Sequence, residues 1–169
     1  MELAIESLGG LGDGIGTLDG KPLFVPKSCP GDRLRVHIVR RNHDGLHGLI
    51  AEVLAPGPGR TASPCPHFTL CGGCALQQLA PADYRAFKTR MLHSALAGGG
   101  FPLPEAGMIF IAPGARRRVE FSLRHDGGTA ALAFHELRSH RLVAVDNCMV
   151  LEPPLQALMA PLNEALSAL

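Results

Sequence analysis

Alternation of apolar and polar positions dominates the first third of the chain. Glu2-Leu3-Ala4-Ile5-Glu6-Ser7-Leu8 changes character with period two, as a half-buried strand does. Gly16-Thr17-Leu18 and Pro22-Leu23-Phe24-Val25 flank Asp19-Gly20, a dipeptide suited to the positive φ angles of a tight hairpin turn. Arg33 to Arg40 alternates strongly, setting Leu34, Val36 and Ile38 on one face and Arg33, Arg35 and His37 on the other. Asp44-Gly45 marks another turn, and Leu46 to Leu54 makes a last strand. Short strands with turns at such intervals predict an OB-like small β-barrel over residues 1–57.

The period then changes. Ala55-Pro56-Gly57-Pro58-Gly59 reads as a linker, and Pro81 to Leu96 as a helix that opens on proline and repeats Tyr84, Phe87, Met91 and Ala95 at helical spacing. Gly98-Gly99-Gly100 ends that helix, and residues 101–107 read as irregular. Strands are expected over Val119–Arg124, Ala130–His135 and Arg141–Val145, with a turn at Asp126-Gly127-Gly128. A helix follows from Pro153-Pro154 through Leu155, Leu158, Met159 and Leu162 to Leu169. The predicted architecture is mainly β, with an α+β second part over residues 58–169.

Composition narrows the function classes. With 46% hydrophobic and 18% charged residues among 169, the chain can bury a core and is no disordered tail. The formal net charge is only +1, but residues 84–141 carry nine Lys or Arg against four Asp or Glu. The basic surplus thus belongs to the second half. Gly9 to Gly16 lacks G-x-G-x-x-G spacing and precedes a strand, which favours a flexible turn over a phosphate loop. The start carries neither a basic segment nor a long apolar run, and no stretch approaches eighteen apolar residues. A cytoplasmic chain with no membrane association is expected.

Cysteine spacing carries the chemistry. Cys65, Cys71 and Cys74 stand as Cys-x5-Cys-x2-Cys, and Cys148 lies in Val145-Asp146-Asn147-Cys148. Four thiolates can close a tetrahedral zinc shell or hold an iron–sulfur cluster. Structural zinc sites usually pair two short hooks, whereas a compact trio with one distant cysteine suits an iron–sulfur cluster, with zinc as the alternative. Gly72-Gly73 lets the backbone wrap closely, so that its amides can point at sulfide. His67 lies inside the loop but is superfluous to a shell of four cysteines. Cys29 reads as a packed thiol in a turn.

These residues have a family look. Cys65-x5-Cys71-Gly72-Gly73-Cys74-x2-Gln77, following a barrel-like segment, resembles the 23S ribosomal RNA (uracil-5-)-methyltransferase family. Asp19-Gly20-Lys21, Phe24-Val25-Pro26 and Pro30-Gly31-Asp32 look like its TRAM domain. Gln77-Gln78-Leu79, Tyr84 and Lys88 look like the segment after its cysteine trio. Arg116-Arg117-Arg118 and Phe134 to His140 look like its central domain, and Asp146-x-Cys148 sits where the family places a fourth ligand.

The resemblance implies a [4Fe-4S] cluster held by Cys65, Cys71, Cys74 and Cys148, with a structural and RNA-facing role. It also makes Arg33, Arg35, Arg116, Arg117 and Arg118 contacts to ribosomal RNA. The family's nucleophilic cysteine, carboxylate base and S-adenosylmethionine fold lie in a C-terminal domain that the resemblance does not reach, so this chain alone is expected to be inactive. The expected function is the RNA-binding, cluster-carrying N-terminal portion of an S-adenosylmethionine-dependent rRNA uracil C5-methyltransferase. A stand-alone metal-stabilised RNA-binding module is the alternative. A redox protein is disfavoured, since neither a second cluster motif nor a flavin or nicotinamide signature is present.

Overall fold

The computed structural model describes residues 1–102 and 108–168. The irregular stretch expected over 101–107 lies mostly outside them. Two compact units form: Met1–Ser63 with Ala75–Met108, and Pro64–Cys74 with Ile109–Leu169. Among the described residues no helix is long and apolar enough to cross a membrane.

Alternation builds the first unit. Its strands are β1 (Glu2–Ala4), β2 (Ser7–Leu8), β3 (Gly14–Leu18), β4 (Lys21–Val25), β5 (Arg33–Asn42) and β6 (Gly45–Ala55). They form one sheet in the order β1-β5-β6-β4-β3-β2. Leu3, Ile5, Leu23, Val25, Leu34, Val36 and Leu46 are buried together, with Leu18, Ile38 and Ile50 packed against them. Leu34 and Val36 face this core while Arg33, Arg35 and His37 stay exposed, as the alternation requires. Asp19 (φ 49°) and Gly20 (φ 73°) make the β3–β4 turn, whose paired positive φ angles match the twist of the flanking strands.

A closed barrel is not seen, which corrects the expectation of a small barrel. The single strand expected over residues 2–8 is divided: β1 pairs with β5 and β2 pairs with β3, at opposite ends of the sheet order. Between them Ile5 N–H turns away to Asp32 O (2.9 Å) and Glu6 N–H to Ile15 O (2.8 Å). The stretch thus changes partners between Ile5 and Glu6, and no ladder pairs β1 with β2. Register shifts along β5–β6 add the local bends that bulges bring.

The expected linker is tied down. Gly57 N–H donates to Asp32 Oδ1 (2.8 Å), and Arg60 reaches Asp32 through both Nε and Nη2. Helix α1 (Pro81–Gly98) starts at its proline as expected and runs two residues beyond Leu96. Only Phe87 of this helix is buried.

The second unit is a three-stranded sheet, β7 (Ser122–Asp126), β8 (Thr129–His135) and β9 (Leu142–Ala144), in that order. Helices α2 (Pro153–Ala157) and α3 (Met159–Ser167) follow. Leu132, Val145, Leu151 and Met159 form its core, with Phe121, Phe134 and Cys148 against it. Asn163 pins α3 to the sheet region, accepting from Leu132 N–H (2.7 Å) and donating to Val145 O (3.3 Å). Two expectations are corrected. Val119–Phe121 lies outside β7, and the single helix from Pro153 is broken at Leu158. Pro161 explains the break: it has no N–H for the carbonyl of Ala157, four residues back, and its ring crowds that carbonyl.

Candidate metal centre

Four cysteines expected to act together all fall within the second unit. The loop carrying three of them winds as a short turn. Phe68 N–H donates to Cys65 O (3.1 Å), and both Leu70 (3.1 Å) and Cys71 (2.8 Å) donate to His67 O. Phe68 anchors the turn by burial. Cys71 then forms an antiparallel bridge with Glu136, and Gly72 N–H donates to His135 O (2.9 Å). This contact demands glycine at position 72. A Cβ there would lie 2.9 Å from His135 O and 3.0 Å from the Leu137 backbone, closer than real side chains allow. Gly73 N–H points at Cys71 Sγ (3.3 Å), an amide directed at a thiol of the kind that glycine pairs permit. A shallow groove of about 260 Å³ opens beside these glycines and the turn through Glu136, Leu137 and Arg138.

Cys148 arrives from β9 by a different route. Leu151 N–H donates to Cys148 O (3.0 Å). Residues 150–152 pair in turn with Arg116, which donates to Val150 O (3.0 Å) and accepts from Glu152 N–H (3.0 Å). The thiol is half-buried, and burial is the main reason its pKa is raised. The Val150 amide and Arg116 pull it down, while Cys74 and Cys65 push it up. Cys65 and Cys74 thus lie within electrostatic reach of Cys148, with Cys71 in their loop. Among the described residues no group of three or more His, Cys, Asp or Glu side chains is gathered as a single-ion site. The donor set is nonetheless four thiols in one unit, with an amide already directed at one of them.

His67 has a partner outside its own loop. Its Nε2 lies 2.7 Å from Asp146 Oδ1, joining the cysteine loop to the segment that carries Cys148. This bond is the chief reason the Asp146 carboxyl lies below its usual range. Spacing could not reveal the pair, because 79 positions separate its members. Cys29 lies in the first unit, fully buried, where its thiol donates to Gln78 O (3.4 Å).

The arginines expected to meet RNA occupy two settings. Arg33 and Arg35 are exposed on β5, but acids on neighbouring strands face them. Arg35 bonds Glu52 and lies 3.8 Å from Glu2, which is 3.7 Å from Arg33. Glu2 and Glu52 both stand opposite Arg35 in the ladder, a cross-strand arrangement that a one-strand reading misses. Arg116, Arg117 and Arg118 are all exposed, and Arg117 lies 3.9 Å from Glu152. Arg40 and Arg41, which sequence reasoning passed over, are exposed along the outer half of β5.

No protein-family model matches the chain. Curated relatives do. An RNA methyltransferase of Caulobacter vibrioides, itself described as uncharacterized, is 40% identical over 95% of this chain and 38% of its own length. The 23S rRNA (uracil(1939)-C(5))-methyltransferase RlmD of Halomonas elongata is 39% identical over 99% of this chain and 36% of its own. The chain belongs to the RNA uracil-C5-methyltransferase family. Among solved structures, the Pyrococcus abyssi tRNA (uracil-54, C5)-methyltransferase in complex with S-adenosyl-L-homocysteine matches 97% of the chain. Its TM-score is 0.62 and its identity 28%, and 36% of that protein is covered. The chain thus spans little more than a third of the length of these family members.

Proposed function

We propose that this chain is the RNA-grasping, cluster-carrying portion of an S-adenosylmethionine-dependent rRNA uracil C5-methyltransferase. The observation that carries the reading is 39% identity, over 99% of this chain, to part of an rRNA uracil-C5-methyltransferase. The first sheet, residues 1–57, serves as the TRAM-type RNA-binding part. Residues 58–169 carry a [4Fe-4S] cluster on Cys65, Cys71, Cys74 and Cys148.

The thiols suit a cluster better than a lone zinc. Zinc about 2.3 Å from each of four sulfurs draws the sulfurs to within about 4 Å of each other, whereas a cluster interposes iron and sulfide. Bound there, the cluster supplies a rigid cross-link between the loop and the Cys148 segment. The protein's own residues do the rest. Gly72 docks the loop on the β8–β9 turn, and the Gly73 amide stabilises sulfur charge.

Arg116, Arg117 and Arg118 neutralise phosphates without reading sequence, and Arg33, Arg35, Arg40 and Arg41 supply further phosphate contacts from β5. Such contacts give salt-dependent affinity, while unpaired bases are read by stacking and edge contacts. Arg33 and Arg35 must exchange acidic partners for phosphate, which makes them the weaker contributors. Methyl transfer itself belongs to whatever catalytic domain the functioning protein supplies.

Salt titration of RNA binding tests the proposal. Wild-type chain should bind a ribosomal RNA fragment with an affinity that falls linearly in log–log form. Replacing Arg116, Arg117 and Arg118 by Ala together should flatten that slope by about two to three units. An unchanged slope, or no binding at low salt, overturns the RNA role.

A further inference from the structure

We propose that His67 is a positioning residue for the four-cysteine site, holding the loop of Cys65, Cys71 and Cys74 with its carbonyl and the Cys148 segment with its ring. The inference deepens the cluster reading and rests on it. The His67 carbonyl accepts from the Leu70 and Cys71 amides (3.1 and 2.8 Å), so the peptide that shapes the loop is also the one bearing the imidazole. The ring Nε2 meets Asp146 Oδ1 at 2.7 Å, two residues before Cys148. The His67 side chain is only 20% exposed, whereas that of Asp146 is 85% exposed. The ring is therefore held by its surroundings, and the carboxylate comes to it.

Neighbouring contacts favour the same arrangement. Gln156 Nε2 donates to Asn147 Oδ1 (2.8 Å), so the segment before Cys148 is held by α2 as well as by His67. Closing a loop of 79 positions costs entropy whichever bond closes it. A clasp that forms before the metal enters leaves less ordering for the last thiolate to bring about. With its Nε2 given to a carboxylate, His67 acts on ligands through geometry, as the groups behind metal ligands commonly do.

Cluster retention tests this directly. Anaerobically loaded protein is challenged with an iron chelator, and loss of the visible cluster absorbance is timed for wild type, His67→Leu, Asp146→Asn, Asp146→Ala, His67→Gln and the Leu/Ala double variant. His67→Leu and Asp146→Ala should each lose the cluster roughly three- to tenfold faster, the size expected of a charge-assisted bond with one exposed partner. The double variant should lose it no faster than either single one, since both remove the same interaction. His67→Gln and Asp146→Asn, which keep a donor and an acceptor, should recover most of the wild-type rate.

A merely structural histidine would give additive losses and no rescue by glutamine. Exposed Asp146 can be replaced with little packing cost, so its variants remain informative if His67→Leu folds poorly. A wild-type rate in Asp146→Ala overturns this proposal alone. A wild type that takes up no iron–sulfur cluster overturns it together with the cluster reading.

Discussion

Asp32 is wholly enclosed in the first unit and is the centre of its irregular chain. It accepts from the Cys29 and Gly57 amides and from the Arg60 guanidinium. Burial alone would raise its pKa, but those bonds, with Arg60 foremost, hold the carboxyl below its usual range. Asp32→Ala strands a buried guanidinium and should cost about 3–5 kcal/mol in urea denaturation. A group with a depressed folded pKa stabilises fully above its unfolded value of about 3.9, and that stability is lost as pH falls through the folded value. The stability curves of wild type and Asp32→Asn should therefore converge in acid below about pH 4. A constant gap down to about pH 2 would contradict the assignment. Beside it, burial pushes the Cys29 thiol up to about 11, with Arg60 opposing and Asp32 and Asp83 assisting. Maleimide at about pH 8 should leave Cys29 unmodified until the protein is unfolded, which peptide mass mapping checks. Sequence marked Cys29 as packed, but nothing in it announced that Asp32 and Arg60 are partners across the supposed linker. Long-range pairing has no periodicity to betray it.

At the scale of elements, Gly72 is the position where backbone meets backbone. Gly72→Ala should separate the cysteine loop from the β8–β9 turn, lowering metal content by at least half in protein purified under identical conditions. Full metal content in that variant would show that the contact is dispensable. Elements with a strict period were legible in advance: β5, β6, α1 and the Asp19-Gly20 hairpin stand close to where alternation and turn chemistry put them. The misses have local causes. Pro161 was present in the sequence, yet the apolar spacing of Leu155, Leu158 and Leu162 masked its effect on Ala157. The division of residues 2–8 between β5 and β3 leaves no mark on alternation, because both halves keep the same period.

For the molecule as a whole, the cysteine loop and the chain from Ile109 onward form one unit, although residues 75–108 separate them in sequence. The Cys-x5-Cys-x2-Cys spacing singled out three residues that the fold places in one unit with Cys148. The clasp through His67 and Asp146 and the acids facing Arg33 and Arg35 required the fold. Cys71→Ser should unfold the second unit while the first keeps its cooperative transition, as amide exchange protection within residues 1–63 would show. The central claim is that four cysteines hold an iron–sulfur cluster in the RNA-grasping part of a uracil methyltransferase. Its most direct test is the iron, acid-labile sulfide and zinc content of anaerobically purified chain. About four iron and four sulfide per chain are predicted. About one zinc per chain with no sulfide would contradict the claim.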